Sequence, residues 1–219
     1  MSTSYNNEEE AYPKKQPPIR MIHRFFKDRR PHHGLTYSGF VDLLERRAAD
    51  VRADPQRAGH DKHARFTLLN LQRTRRIERT YSVTDRLRSV VAAVAQPQLW
   101  MVMTEPWCGD SAQNLPYIAK IADINPNIDL RILLRDEHPD IMEHYLTEGT
   151  RSIPKLVAFD LPGRELFSWG PRPRSADELF RSERASGTPM DVALEKVHRW
   201  YGTDKGKELE NEFLELLAD

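Results

Sequence analysis

The stretch "LWMVMT", Leu99 to Thr104, sets the terms for the rest of the chain. A continuous apolar run this short reads as a strand buried on both faces, and such a strand needs cover on both sides of its sheet. The residues that follow alternate accordingly. Cys108 to about Asp123 reads as a helix interrupted by Pro116, Ile128 to Leu134 as a second strand, and Asp140 to Leu146 as a second helix. "KLVAF" at Lys155–Phe159, a turn through Pro162-Gly163 and "RELFSW" ending at Trp169 have the pattern of an antiparallel hairpin. A last helix begins near Ser175 and runs, interrupted near "SGTP", to Tyr201. The fold class is α/β, a central mixed sheet flanked by helices.

Before Pro97 the grammar is helical. "YSGFVDLLERRAA" from Tyr37 places Phe40, Leu43 and Leu44 at helical spacing behind a Ser38 N-cap. Further helices are expected from about Asp61 to Arg79 and from Ser82 or Thr84 to Ala95. Residues 1 to 18 are polar and proline-punctuated, the composition of a disordered leader. "IRMIHRFFKDRRPHHG" is a basic arm, expected to dock Phe25 and Phe26 on the body while its charges stay wet. The expected divisions are residues 1–34 as leader and arm, 35–97 as a helical extension, 98–202 as the α/β domain and 203–219 as an acidic C-terminal helix.

With 33 basic and 33 acidic side chains in 219 residues, global charge predicts no nucleic-acid partner. No apolar run reaches the roughly 18 to 20 residues that span a bilayer, and the first thirty residues have no apolar signal core, so a cytoplasmic location is expected. Six arginines fall between Arg73 and Arg88. Most are expected to be solvated or paired with the acidic C-terminus, while Arg73 and Arg76 are candidates to hold an anionic group in their planar forks of donors.

The single cysteine excludes any intramolecular disulfide, yet it stands at a strand-to-helix joint, in "TEPWCGDSAQNLPY". A thiol there faces unpaired backbone N–H groups and the positive end of the helix dipole, which favour the thiolate. Asp110 pushes the other way by like charge, and Ser111 can donate to the sulfur, so the net sign is open.

Four joints in register resemble the thioredoxin superfamily over Leu99 to about Tyr201. "WCGDS" is similar to its active-site turn, with Cys108 at the attacking thiol, and "SIP" at Ser152–Pro154 is similar to its cis-proline loop. Pro116 and Gly170 match the helix kink and the glycine beyond the last strand. More narrowly, "WCGD", "RSIPKL" and "WGPRP" are similar to bacterial thioredoxin-like proteins with helical N-terminal extensions. The resemblance implies catalytic roles for Cys108 and Ser111, and a substrate surface of Trp107, Gly109, Asp110, Ile153 and Pro154, on which an extended peptide could pair beside the sulfur. Ser111 replaces the resolving cysteine, and Val102 stands where a buried acid is common.

Three functions follow as expectations: thiol–disulfide exchange through Cys108 with protein or low-molecular-weight thiols and disulfides as partners; a redox-inactive binding or chaperone module using the cis-proline edge; or, from likeness to monothiol glutaredoxins, an iron–sulfur cluster shared between two subunits with small-molecule thiols. Outside that third alternative no cofactor is expected. A metal site at His60 and His63 has no supporting ligands in the sequence, and a cysteine hydrolase would need a histidine beside Cys108.

Overall fold

A computed structural model describes residues 22–54 and 63–218. The expected leader over residues 1–18 lies outside the described residues, as does His60.

The sheet has the order β2-β1-β3-β4, built from β1 (Gln98–Thr104), β2 (Ile128–Leu134), β3 (Lys155–Asp160) and β4 (Glu165–Trp169). β1 pairs in parallel with β2 and antiparallel with β3, and β3 pairs antiparallel with β4, so the sheet is mixed and the chain has a thioredoxin-like α/β fold. Strand β1 lies inside the sheet and feeds both layers. Trp100 and Val102 point to one cluster, with Ile118, Ile121, Leu209 and Phe213, while Leu99, Met101 and Met103 point to the other, with Phe159, Ile141 and Met142. A period of two on a strand whose residues are all apolar gives a sheet with two dry faces.

The first face is covered by α5 (Gly109–Ala122) together with α4 (Asp85–Ala92) and α9 (Lys207–Leu217), whose order in the chain gives no hint that they meet. The second is closed by the basic arm. Phe25 and Phe26 of α1 (Arg24–Lys27) are buried against Phe159, with ring centroids at 6.5 and 5.0 Å, while Arg24 stays in solvent. Each buried ring is worth about 2 to 3 kcal/mol of transfer free energy, which holds the arm down without any use of its charges.

Helix α2 (Tyr37–Ala53) is capped two residues earlier than expected. Thr36, not Ser38, is the N-cap, accepting from the Gly39 N–H at 3.1 Å. α3 (Ala64–Thr80) packs on α2 and on α5. Three arginines of α3 find partners other than the C-terminal acids, while Arg79 is exposed: Arg75 pairs with Glu45 and Glu78, Arg76 donates to Gln113 at 3.1 Å and Arg73 to Asn70 at 3.2 Å. The acids of α9 instead bind neutral groups and one arginine: Glu210 accepts from Tyr81, Glu212 from the Trp169 indole at 2.6 Å, and Glu215 from Arg174. Helix α6 (Pro139–Met142) is shorter than expected. The last expected helix is two, α7 (Arg174–Ala185) and α8 (Met190–Asp204), separated where Gly187 adopts a positive φ of 80°.

Candidate functional site

Strand β1 ends at Thr104, and the chain turns through Glu105–Trp107 to begin α5, with Cys108 as its N-cap. Sulfur takes the capping role: the Ser111 N–H donates to Sγ at 3.4 Å. The thiol donates in turn to the Ile153 carbonyl at 3.2 Å, on the loop where the Ile153–Pro154 peptide is cis. Cys108 is only 7 % exposed. Burial is the larger force on its proton and the Asp110 charge the second; together they outweigh the hydrogen bonds from Ser111 and push the thiol up to about 11. The opposition left open in the sequence thus resolves toward the neutral thiol.

The Ser111 hydroxyl accepts from Thr104, which anchors the first turn of α5 to the end of β1. Glu105 does not cap the helix; its buried carboxylate accepts the Asp136 N–H at 2.9 Å, and burial raises its proton affinity. Asp110 is held by three groups. Arg172 forms an ion pair with it at 2.7 Å, both side chains nearly buried, the Tyr201 hydroxyl donates to it at 3.0 Å, and the Asn114 amide donates both to the Asp110 carbonyl and to the Tyr201 hydroxyl.

A groove of about 510 Å3 opens beside the sulfur. Trp107, Cys108, Gly109, Asp110 and Ile153 line it, bringing five of the sequence-predicted residues together. Pro154 is buried and is not among the lining residues. The Trp107 indole is engaged from within the chain, stacked on His63 at 4.5 Å and 23°, with the Arg135 guanidinium 4.9 Å from the ring centroid. Arg73 sits against the turn, while Arg76 points along α5 to Gln113, away from it.

The far wall could not be anticipated. His198 and Leu194 of α8 line the groove, some ninety residues after the thiol. A Cβ on Gly109 would lie 2.8 Å from the His198 ring and 3.2 Å from Arg73 Nη1, so the missing side chain is what allows α8 and α3 to close on the turn. Arg172 stood in the quoted "WGPRP" and Arg151 in the quoted "RSIPKL", but His198 and Arg135, which line the groove as well, carry no local sequence signal. His138 and His144 do not line it; His144 packs on His23 at 4.5 Å.

Burial, reinforced by the Arg73 charge, pulls His198 down to about 4, and its Nδ1 is buried without a partner. A neutral imidazole of that acidity cannot take a proton from a thiol near 11. The transfer is uphill by on the order of 10 kcal/mol, which argues against hydrolase chemistry through this pair. The same depression makes a pH prediction. Unfolded His198 binds a proton below about 6.5 while the folded residue stays neutral down to about 4, so the unfolded state binds more protons in that window. The stabilisation is complete above pH 6.5 and is lost as pH falls toward 4, by about 3 kcal/mol for this residue. Urea denaturation of wild type and His198→Phe should show a steeper loss of stability in wild type across that window; parallel curves would refute the assignment.

A family model described as thioredoxin matches residues 60–186. Among solved structures, a protein of unknown function from Pseudomonas aeruginosa superposes with a TM-score of 0.57 at 15 % identity, covering 86 % of this chain and 94 % of its own. An HIV epitope-scaffold superposes with a TM-score of 0.51 at 18 % identity, covering 76 % and 91 % respectively. Both are likenesses of fold. No curated protein matches.

Proposed function

The chain belongs to the thioredoxin family, and on that premise we propose that it is a binding module, which uses the groove between Trp107, Ile153 and α8 to hold a ligand and keeps Cys108 as a thiol at rest. The observation that carries this is the sealed sulfur: buried, hydrogen-bonded to the Ile153 carbonyl and without a second thiol in the chain. At pH 7 a thiol titrating near 11 is ionised to roughly one part in 10^4, and the higher nucleophilicity of a basic thiolate recovers only part of that loss.

The test is alkylation of native protein by iodoacetamide across pH, with Cys108→Ser as the blank. The rate at pH 7 should be about tenfold or more below that of a free cysteine, with an apparent pKa above 9. A peptide array probed with wild type and Cys108→Ser should give the same pattern. Fast alkylation with a low pKa, or a pattern that disappears in Cys108→Ser and on adding reductant, would overturn the proposal.

The groove also supports a second reading, since Cys108, at a helix N-terminus, is among the residues that line it. In single-thiol exchange the Cys108 thiolate attacks one sulfur of a disulfide, forms a mixed disulfide and releases the other half as a thiolate. An external thiolate then attacks the mixed disulfide and restores Cys108. Ser111 cannot take that second step, so the adduct would persist until such a thiol arrived. A long-lived mixed disulfide, trapped without reductant, is the outcome that favours this reading over the first.

A further inference from the structure

We infer that the hairpin of α7 and α8 is a movable wall of the groove, closed on Cys108 by the polar knot at Asp110 and able to swing away as a unit. The inference rests on the binding role proposed above and describes how its groove is opened to a ligand.

The hairpin has a core of its own. Ala176, Leu179 and Phe180 of α7 pack on Val197, Trp200 and Tyr201 of α8. No residue of either helix enters the clusters on the two faces of the sheet. Moving the pair off the body would leave both sheet cores dry, and the hairpin would carry its own apolar contacts with it. Its two ends are clamped. Gly170 lies against the Pro154 carbonyl and Gly206, with φ of 85°, against the Tyr117 ring, where a Cβ would come within 2.3 Å of a ring carbon. Between these two close approaches, residues 171–205 form the self-packed unit, so the glycines define the axis about which it can turn.

The seam that closes the hairpin is polar. Arg172 pairs with Asp110, the Tyr201 hydroxyl donates to the same carboxylate, and the Asn114 amide donates to that hydroxyl. At the foot of α7 the Arg174 and Ser175 N–H groups donate to Glu212 and Glu208 at 2.7 and 2.8 Å. Farther out Arg181 pairs with Glu148 at the surface, an exposed contact of little weight. Parting an apolar seam exposes hydrocarbon to water, whereas parting this one returns ions and hydroxyls to it, and the regained hydration offsets much of the loss. Two atoms of the hairpin gain outright: Arg172 Nε and His198 Nδ1 are buried without a partner and would be hydrated on opening. His198 and Leu194, which line the groove, would leave with α8 and uncover the turn at Gly109 and the sulfur beside it.

Amide hydrogen exchange of the native full chain, followed by NMR at low urea concentrations, tests this without any ligand. The α7 and α8 amides should share one opening constant, about 100-fold or more above that of the β1 and β3 amides, with a smaller urea dependence. Tyr201→Phe keeps the ring in the hairpin's core and removes its bond to Asp110. It should raise the hairpin opening constant and the rate of Cys108 alkylation, compared at equal thiolate fraction, by the same factor of about ten. Phe213→Leu, which loosens the sheet core under α9, should speed exchange in β1 and leave the hairpin and the thiol unchanged. Should either variant fail to fold, the wild-type exchange pattern still decides. Hairpin amides that open only together with the sheet, a gradient of exchange falling away from the tip at Gly187, or a thiol rate that does not follow Tyr201→Phe would each overturn the inference and leave the binding role standing. Fast alkylation of wild type at a low pKa would instead defeat the binding role, with the exchange pattern of the hairpin unaffected.

Discussion

Arg172→Ala is expected to cost about 3 to 5 kcal/mol of stability, because it leaves the Asp110 carboxylate in a buried site with its main counter-charge gone. The ion pair is nearly dry, with side chains 12 % and 8 % exposed, so water cannot replace the guanidinium cheaply. The Tyr201 hydroxyl and Asn114 amide remain, but neither carries charge. The double variant Asp110→Asn with Arg172→Met, which removes both charges, should recover most of the loss. Arg172 also offsets the field of Asp110 at the sulfur, so Cys108 should become still less acidic in Arg172→Ala and more acidic in Asp110→Asn. Chemical denaturation and thiol titration of the three variants check both statements. A loss below about 1 kcal/mol in Arg172→Ala would mean that the pair is solvated in the native protein.

Gly170→Ala is expected to be equally severe for a different reason. Gly170 has φ of +106°, and a Cβ there would sit 2.3 Å from the Pro154 carbonyl oxygen, which is backbone and cannot swing aside. The cost combines an unfavourable backbone region with a steric clash, about 3 kcal/mol or more, which lowers Tm by roughly 6 to 12 °C in a chain of this size. The displaced group belongs to the loop that accepts the Cys108 thiol hydrogen bond. Variant protein that does fold should therefore alkylate faster at Cys108. A Tm within about 2 °C of wild type would contradict the contact.

The sheet was legible because its strands are apolar runs bounded by turn residues, and β2 falls at the expected Ile128–Leu134. Its helices were less so at their ends: Thr36 and Ser38 are both good caps, and their local sequences do not say which hydroxyl meets a free N–H. One half of the site, Trp107 to Ser111 with Ile153 and Pro154, could be read from motifs in which backbone geometry dictates residue type. The other half could not. His198 sits on an ordinary amphipathic helix, and its place against Gly109 depends on how α7 and α8 fold back over α5. Likewise the sign of the thiol shift depends on burial, which Asp110 and Ser111 do not report.

The groove draws its walls from α3, from the turn at Cys108, from the loop at Ile153 and from α8, which reaches the thiol only from the far end of the fold. During synthesis the cysteine is made about ninety residues before His198. At ordinary elongation rates the sulfur emerges roughly 5 to 20 s before the helix that shelters it. A thiol that is buried in the finished protein therefore passes through an interval of exposure on the ribosome, and oxidant damage to Cys108 should accumulate in newly made chains rather than in old ones.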